Sequence, residues 1–123
     1  MKIQKLNEFI DYTSLTNDEL LEMANATSKV TGIKDIVLWM GPPPPNHGHR
    51  IKVSNKPNKI SNDDLFTITI PEYKIIGEVN TNFITSKKIK EIINFIELNK
   101  NLIIEYSDNK IETLDFLTQL KKI

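Results

Sequence analysis

Four consecutive prolines, Pro42 to Pro45, restrict this chain more than any other segment. Proline lacks a backbone N–H and has a fixed φ, so neither a helix interior nor a sheet ladder can run through them. An extended polyproline conformation remains. On one side, Ile36 to Met40 is an unbroken apolar run bounded by Asp35 and Gly41. Its length and its β-branched and aromatic content predict a buried strand. On the other side, Arg50 to Ser54 alternates polar and apolar residues. That period predicts a second strand, with Ile51 and Val53 toward the core and Arg50 and Lys52 toward solvent. The prolines are therefore expected to form a rigid connection between two strands.

Further along, Leu65 to Ile70 alternates again and places Phe66, Ile68 and Ile70 on one face, with Pro71 ending the strand. Tyr73 to Val79 reads as a fourth strand weakened by Gly77. Between the second and third strands, Asn55 to Asp64 carries Asn, Lys, Pro and Ser with little to bury, which is loop chemistry. Upstream, Thr16 to about Val30 reads as a helix: Thr16 and Glu19 stand in capping-box positions, Leu20, Met23, Ala24 and Val30 recur at helical spacing, and Gly32 stops it.

From Ser86 the period becomes helical, with Ile89, Ile92, Ile93 and Ile96 in one stripe. Asn99 to Asn101 interrupts it, a short helix over Leu102 to Tyr106 is expected, and Ile111, Leu114, Leu117, Leu120 and Ile123 predict a final amphipathic helix. Strands grouped before helices predict an α+β fold. It comprises an N-terminal helix, a four-stranded, mainly antiparallel sheet and two to three C-terminal helices. Residues 1–123 are expected to form one domain.

Composition narrows the function classes. Sixteen basic and sixteen acidic side chains cancel, so no global field draws the protein to nucleic acid or to an anionic membrane. With no cysteine, disulfide scaffolds, thiolate metal sites and cysteine nucleophiles are excluded. The N-terminus lacks the apolar run of a signal peptide and no stretch reaches transmembrane length, so the expected location is cytoplasmic (host cell cytoplasm, or virion if phage-encoded). Isoleucine, lysine and asparagine are abundant while alanine occurs only at Ala24 and Ala26, a codon bias expected of a low-GC bacterium or one of its phages.

The stretch from Gly41 to Val53 gathers the rare residues: four of the six prolines, both histidines and the only arginine, directly after the only tryptophan, Trp39. Three chemistries fit it. His47 and His49, two apart on an extended chain, point the same way and resemble the opening of a cupin metal motif. That motif needs a glutamate four or five positions later, where Val53 and Ser54 stand, and a third histidine that the chain lacks. No metal or other cofactor is expected. Arg50, Lys52, Lys56 and Lys59 occur without an acidic residue between Gly41 and Ser61, and with Trp39 they suit a phosphate backbone. Finally, His47 or His49 as general base beside Arg50 describes a small metal-independent ribonuclease. The prolines themselves suit a protein partner, because polyproline docks on aromatic surfaces at little entropic cost. The candidate binding residues are Trp39, Pro43, Pro44, His47, His49, Arg50, Lys52 and Lys56.

Pro44-Pro45-Asn46-His47-Gly48-His49-Arg50-Ile51-Lys52-Val53 resembles a family of small uncharacterised bacterial proteins that carry a Pro-Pro-His-x-His-Val strand. In that family a strand meander precedes a helix ending near Asn-x-x-x-Leu, to which Ile92 to Leu102 is similar. The likeness spans roughly Ile36 to Tyr106 and departs from the pattern at the inserted Asn46 and at Arg50, where a valine is expected. The resemblance implies genes near toxin–antitoxin-like partners, without a settled activity; small phage accessory proteins look similar too. The expected function is a non-enzymatic accessory or structural interaction protein of a phage or mobile element. It presents the 41–59 loop and strand to a protein, or alternatively to nucleic acid, with no membrane partner and with homo-oligomerisation left open. The alternative is a ribonuclease-like toxin using His47, His49 and Arg50.

Overall fold

The computed structural model describes residues 24–41, 48–60 and 63–123. Five strands form one antiparallel sheet in chain order: β1 (Ala24–Ala26), β2 (Leu38–Met40), β3 (Arg50–Ser54), β4 (Leu65–Thr69) and β5 (Ile75–Ile76). A four-residue helix, α1 (Ser28–Thr31), connects β1 to β2, and α2 (Ser86–Leu98), α3 (Lys100–Ser107) and α4 (Thr113–Gln119) follow the sheet. The α+β class and the antiparallel sheet agree with the sequence reading, but the count of strands does not. The extra strand is β1, where a helix from Thr16 to Val30 was expected. Residues 16–23 of that expectation lie outside the described residues. Ala24 and Ala26 are strand residues, fully covered against β2 in the register Ala24↔Met40 and Ala26↔Leu38. Alanine favours helices intrinsically, yet its small side chain also fits beneath a close-packed neighbour, and pairing with β2 overrides the propensity.

Register fixes which side chains share a face. Leu38↔Val53↔Phe66 and Met40↔Ile51↔Ile68 are two rows across β2, β3 and β4, all six without solvent exposure. Onto this face α2 packs Ile92, Phe95 and Ile96, α3 packs Ile103 and Tyr106, and α4 packs Phe116, giving one continuous core. The opposite face carries the row Trp39↔Lys52↔Thr67 and a separate apolar cluster of Val37, Trp39 and Leu65. The alternation predicted for β3 is therefore correct. The expectation that Lys52 faces solvent is not, because Lys52 is only 3% exposed. Period-two alternation assigns a side chain to a face but does not say whether that face meets water.

The helices are shaped by specific caps. The Thr85 hydroxyl accepts from the Lys88 N–H at 3.2 Å and starts α2. Asn99 ends it and does more: its buried amide donates to the carbonyls of Phe95 (3.1 Å) and Lys121 (2.9 Å), and its oxygen accepts from the Lys121 N–H at 2.8 Å. The tail beyond α4 is thereby pinned beside the α2–α3 junction. It continues to α1, where the Ile123 N–H donates to the Thr31 carbonyl at 3.0 Å. Gly32 is required here, since φ is +81° and a Cβ would sit 2.7 Å from the Ile123 oxygen. The last helix is shorter than the expected Ile111–Ile123. A strict three-residue repeat drifts around a 3.6-residue helix, so Leu114 is 73% exposed while Phe116 is the buried anchor, stacked on Tyr106 at 4.2 Å.

Candidate functional site

The structure separates the expected binding set into three groups. Trp39 and Lys52 are neighbours on the second face of the sheet, 4% and 3% exposed, too covered to act as a presented surface. Among the described residues the Trp39 indole N–H has no hydrogen-bond partner, and the same holds for the Thr67 hydroxyl in the same cross-strand row. Pro43, Pro44 and His47 lie outside the described residues. His49, Arg50 and Lys56 are partly exposed and mark the two ends of β3.

His49 has a partner that no sequence motif announces. Its Nε2 lies 2.9 Å from Oδ1 of Asp108, the residue that follows α3, with the two side chains 29% and 41% exposed. A carboxylate only accepts, so the Nε2–H donates in this contact. The strand side of the contact is fixed by the His49 carbonyl, which accepts from the Ile70 N–H at 2.9 Å. Gly48 beside it is exposed with open space around it. Fifty-nine positions separate His49 from Asp108, so only the packing of α3 against the sheet brings them together. Arg50 follows directly, half-buried opposite Thr69.

At the other end of β3, Asn55 organises a tight polar cluster. Its Nδ2 donates to Asp64 Oδ1 and to the Glu78 carbonyl, both at 2.9 Å, and its Oδ1 accepts from the Asn80 N–H at 2.8 Å. Asn58 then donates through its backbone to the Asp35 carbonyl (3.0 Å) and through Nδ2 to Asp35 Oδ1 (2.9 Å). Pro57, Asn58, Lys59 and Ile60 stand in solvent in and just after this turn, Ile60 at 55% exposure. Asn58 and Asp64 adopt left-handed φ of 55° and 61°, values that asparagine and aspartate tolerate better than most side chains. The loop reading of Asn55 to Asp64 holds, but Asn55 itself is 1% exposed.

Electrostatically this end is less positive than its local sequence implies. Lys56 Nζ contacts Asp63 Oδ2 at 2.5 Å. That hydrogen bond, with the charges of Asp63 and Asp64, raises the Lys56 amine above its ordinary value of 10.5, against a smaller opposing effect of desolvation. Asp63 and Asp64 lie just past the acid-free window, and the fold returns them to it. Among the described residues no three His, Asp or Glu side chains converge as metal ligands. An open hollow of about 520 Å³, lined among others by Tyr106, Ile111 and Leu114, shares no residue with the expected binding set.

No family model, curated protein or solved structure matches this chain. Among the described residues no helix is long and apolar enough to cross a membrane.

Proposed function

We propose that this protein is a non-enzymatic interaction protein, an accessory factor of a phage or mobile element, and that its contact surface lies along the 41–59 stretch. The observation that carries this reading is the turn after β3. It is tied down at Asn55, which reaches across to Asp64, and at Asn58, which bonds Asp35, and Lys59 and Ile60 stand in solvent directly after Asn58. An apolar side chain beside a cation on a pre-ordered turn binds with little further loss of conformational entropy. His49, Arg50 and Lys56 border this surface, and the proline connection with Pro43, Pro44 and His47 belongs to the same stretch.

The test is affinity capture from the native cell, using wild-type protein, a Lys59→Glu/Ile60→Asp variant and a variant with alanine at Pro42–Pro45. The expected result is one specific partner retained by wild type and lost with at least one variant. An unchanged set of captured proteins with both variants refutes the reading. If the partner is a nucleic acid, binding is detectable at low salt and weakens steeply as salt rises.

The ribonuclease reading stands second, favoured by one observation: the 2.9 Å contact that orients the half-exposed His49 ring on Asp108. A base held by a carboxylate next to Arg50 has the arrangement that general-base cleavage of RNA requires. Metal-independent RNA cleavage that is lost in both His49→Ala and Asp108→Asn makes this the main account. Its absence in the wild-type protein removes it.

A further inference from the structure

One edge of the sheet is exposed and carries a self-complementary run of residues. β5 is the last strand, and among the described residues no strand lies on its outer side. In an antiparallel ladder successive residues direct their backbone groups alternately to one neighbour and then to the other. The Thr69 N–H donates to the Lys74 carbonyl at 2.9 Å, and the register continues as Ile68↔Ile75 and Thr67↔Ile76. Lys74 and Ile76 therefore turn their backbone groups inward to β4, Ile75 turns both of its groups outward, and the Gly77 N–H, in one peptide plane with the inward Ile76 carbonyl, also points outward. Gly77 leaves the regular strand conformation at φ +102° but stays beside β4, where a Cβ would stand 3.6 Å from the Phe66 Cα.

The sequence along this edge is Lys74-Ile75-Ile76-Gly77-Glu78, and every one of these residues is exposed, the two isoleucines at 41% and 39%. Turned antiparallel onto a copy of itself about Ile76, the segment is self-complementary. Ile75 falls opposite Gly77 of the second copy, so the Gly77 N–H of each copy donates to the Ile75 carbonyl of the other, and the glycine leaves room for the isoleucine. Lys74 falls opposite Glu78 of the second copy, and Glu78 opposite its Lys74. These two charge pairs flank an Ile76–Ile76 contact on one face of the joined sheet. Competing registers are worse. A one-residue slip sets outward backbone groups against inward ones. A pairing centred on Ile75 retains the bonds but places Glu72 opposite Glu78 and Lys74 opposite Ile76.

We infer that two copies of this protein join edge to edge through β5 in the Lys74–Glu78 register, continuing the sheet across a two-fold axis. So short an edge buries less than the roughly 1,000 Å² of a stable interface, so the dimer is weak and reversible.

Sedimentation velocity on the full chain, from dilute protein up to about 1 mM, reads the equilibrium directly. Wild type shifts toward dimer with concentration. Lys74→Glu and Glu78→Lys each turn two attractive pairs into two repulsive ones and weaken association about tenfold or more. The double variant Lys74→Glu/Glu78→Lys restores the attraction with its signs exchanged and recovers most of the wild-type association. Lys74→Gln and Glu78→Gln, milder changes at exposed positions, weaken it less, and unchanged circular dichroism verifies the fold of each variant. A protein that stays monomeric throughout overturns the inference. So does a dimer indifferent to the single charge reversals, or one that the double reversal fails to restore.

Discussion

Asn55 shows how much one polar side chain can carry in this protein. It looks like a loop residue in the sequence, yet it is 1% exposed and ties together Asp64, Glu78 and Asn80. Replacing it with alanine removes three hydrogen bonds, and Asn55→Ala is expected to cost about 1–3 kcal/mol in urea denaturation. Lys52 makes the complementary point. Being 3% exposed, it should resist acylation by an amine-reactive ester under native conditions while Lys59 is modified rapidly, as read by peptide mass spectrometry. Lys56 allows a prediction in pH. Its amine is raised above 10.5 by Asp63. A raised lysine stabilises the fold fully below its unfolded value and ceases to do so as the pH climbs through the folded one. Lys56→Met should therefore differ from wild type by a small, constant amount at neutral pH, and that difference should disappear only in strongly alkaline solution. A difference already vanishing near neutrality would contradict the Asp63 contact.

At the level of elements, the strands beside the proline run were legible because both carry short-range signals. The apolar run ending at Met40 and the alternation from Arg50 to Ser54 each read as a strand without help from distant residues. The helix over Ser86–Leu98 was equally clear from its stripe, and its cap is testable: Thr85→Ala removes the acceptor for the Lys88 N–H and should lower stability by about 1 kcal/mol. β1 was not legible. Ala24-Asn25-Ala26 has no strand period and its alanines favour helix; pairing with β2 decides the matter. The expected strand over Tyr73–Val79 shrinks to Ile75–Ile76, bounded by two residues in left-handed conformations, Tyr73 at φ 59° and Gly77 at φ 102°. A tyrosine at positive φ gives no warning in sequence, since only the tertiary setting holds it there.

The molecule as a whole is closed by contacts between parts distant in the chain. The tail from Leu120 to Ile123 binds Asn99 through Lys121 and reaches α1 through Ile123. Ending the chain after Gln119 removes both hydrogen bonds between Asn99 and Lys121 and deletes the partly buried Leu120, at an expected cost of about 2–4 kcal/mol in the same denaturation assay. The candidate site obeys the same logic. His49 and Arg50 could be named from their rarity and position, but Asp108, which orients His49, could not, because nothing local in Tyr106-Ser107-Asp108 points to a histidine in an earlier strand. By itself the sequence determined the α+β class, the faces of β3 and β4, the main helix and the region worth searching, all of which rest on periodicity and on proline and glycine stereochemistry. Only the tertiary structure decided that Lys52 is interior, that Asp63 tempers the acid-free stretch, and that Asp108 meets His49. Those outcomes depend on which elements pack together, and residue spacing along the chain does not carry that information.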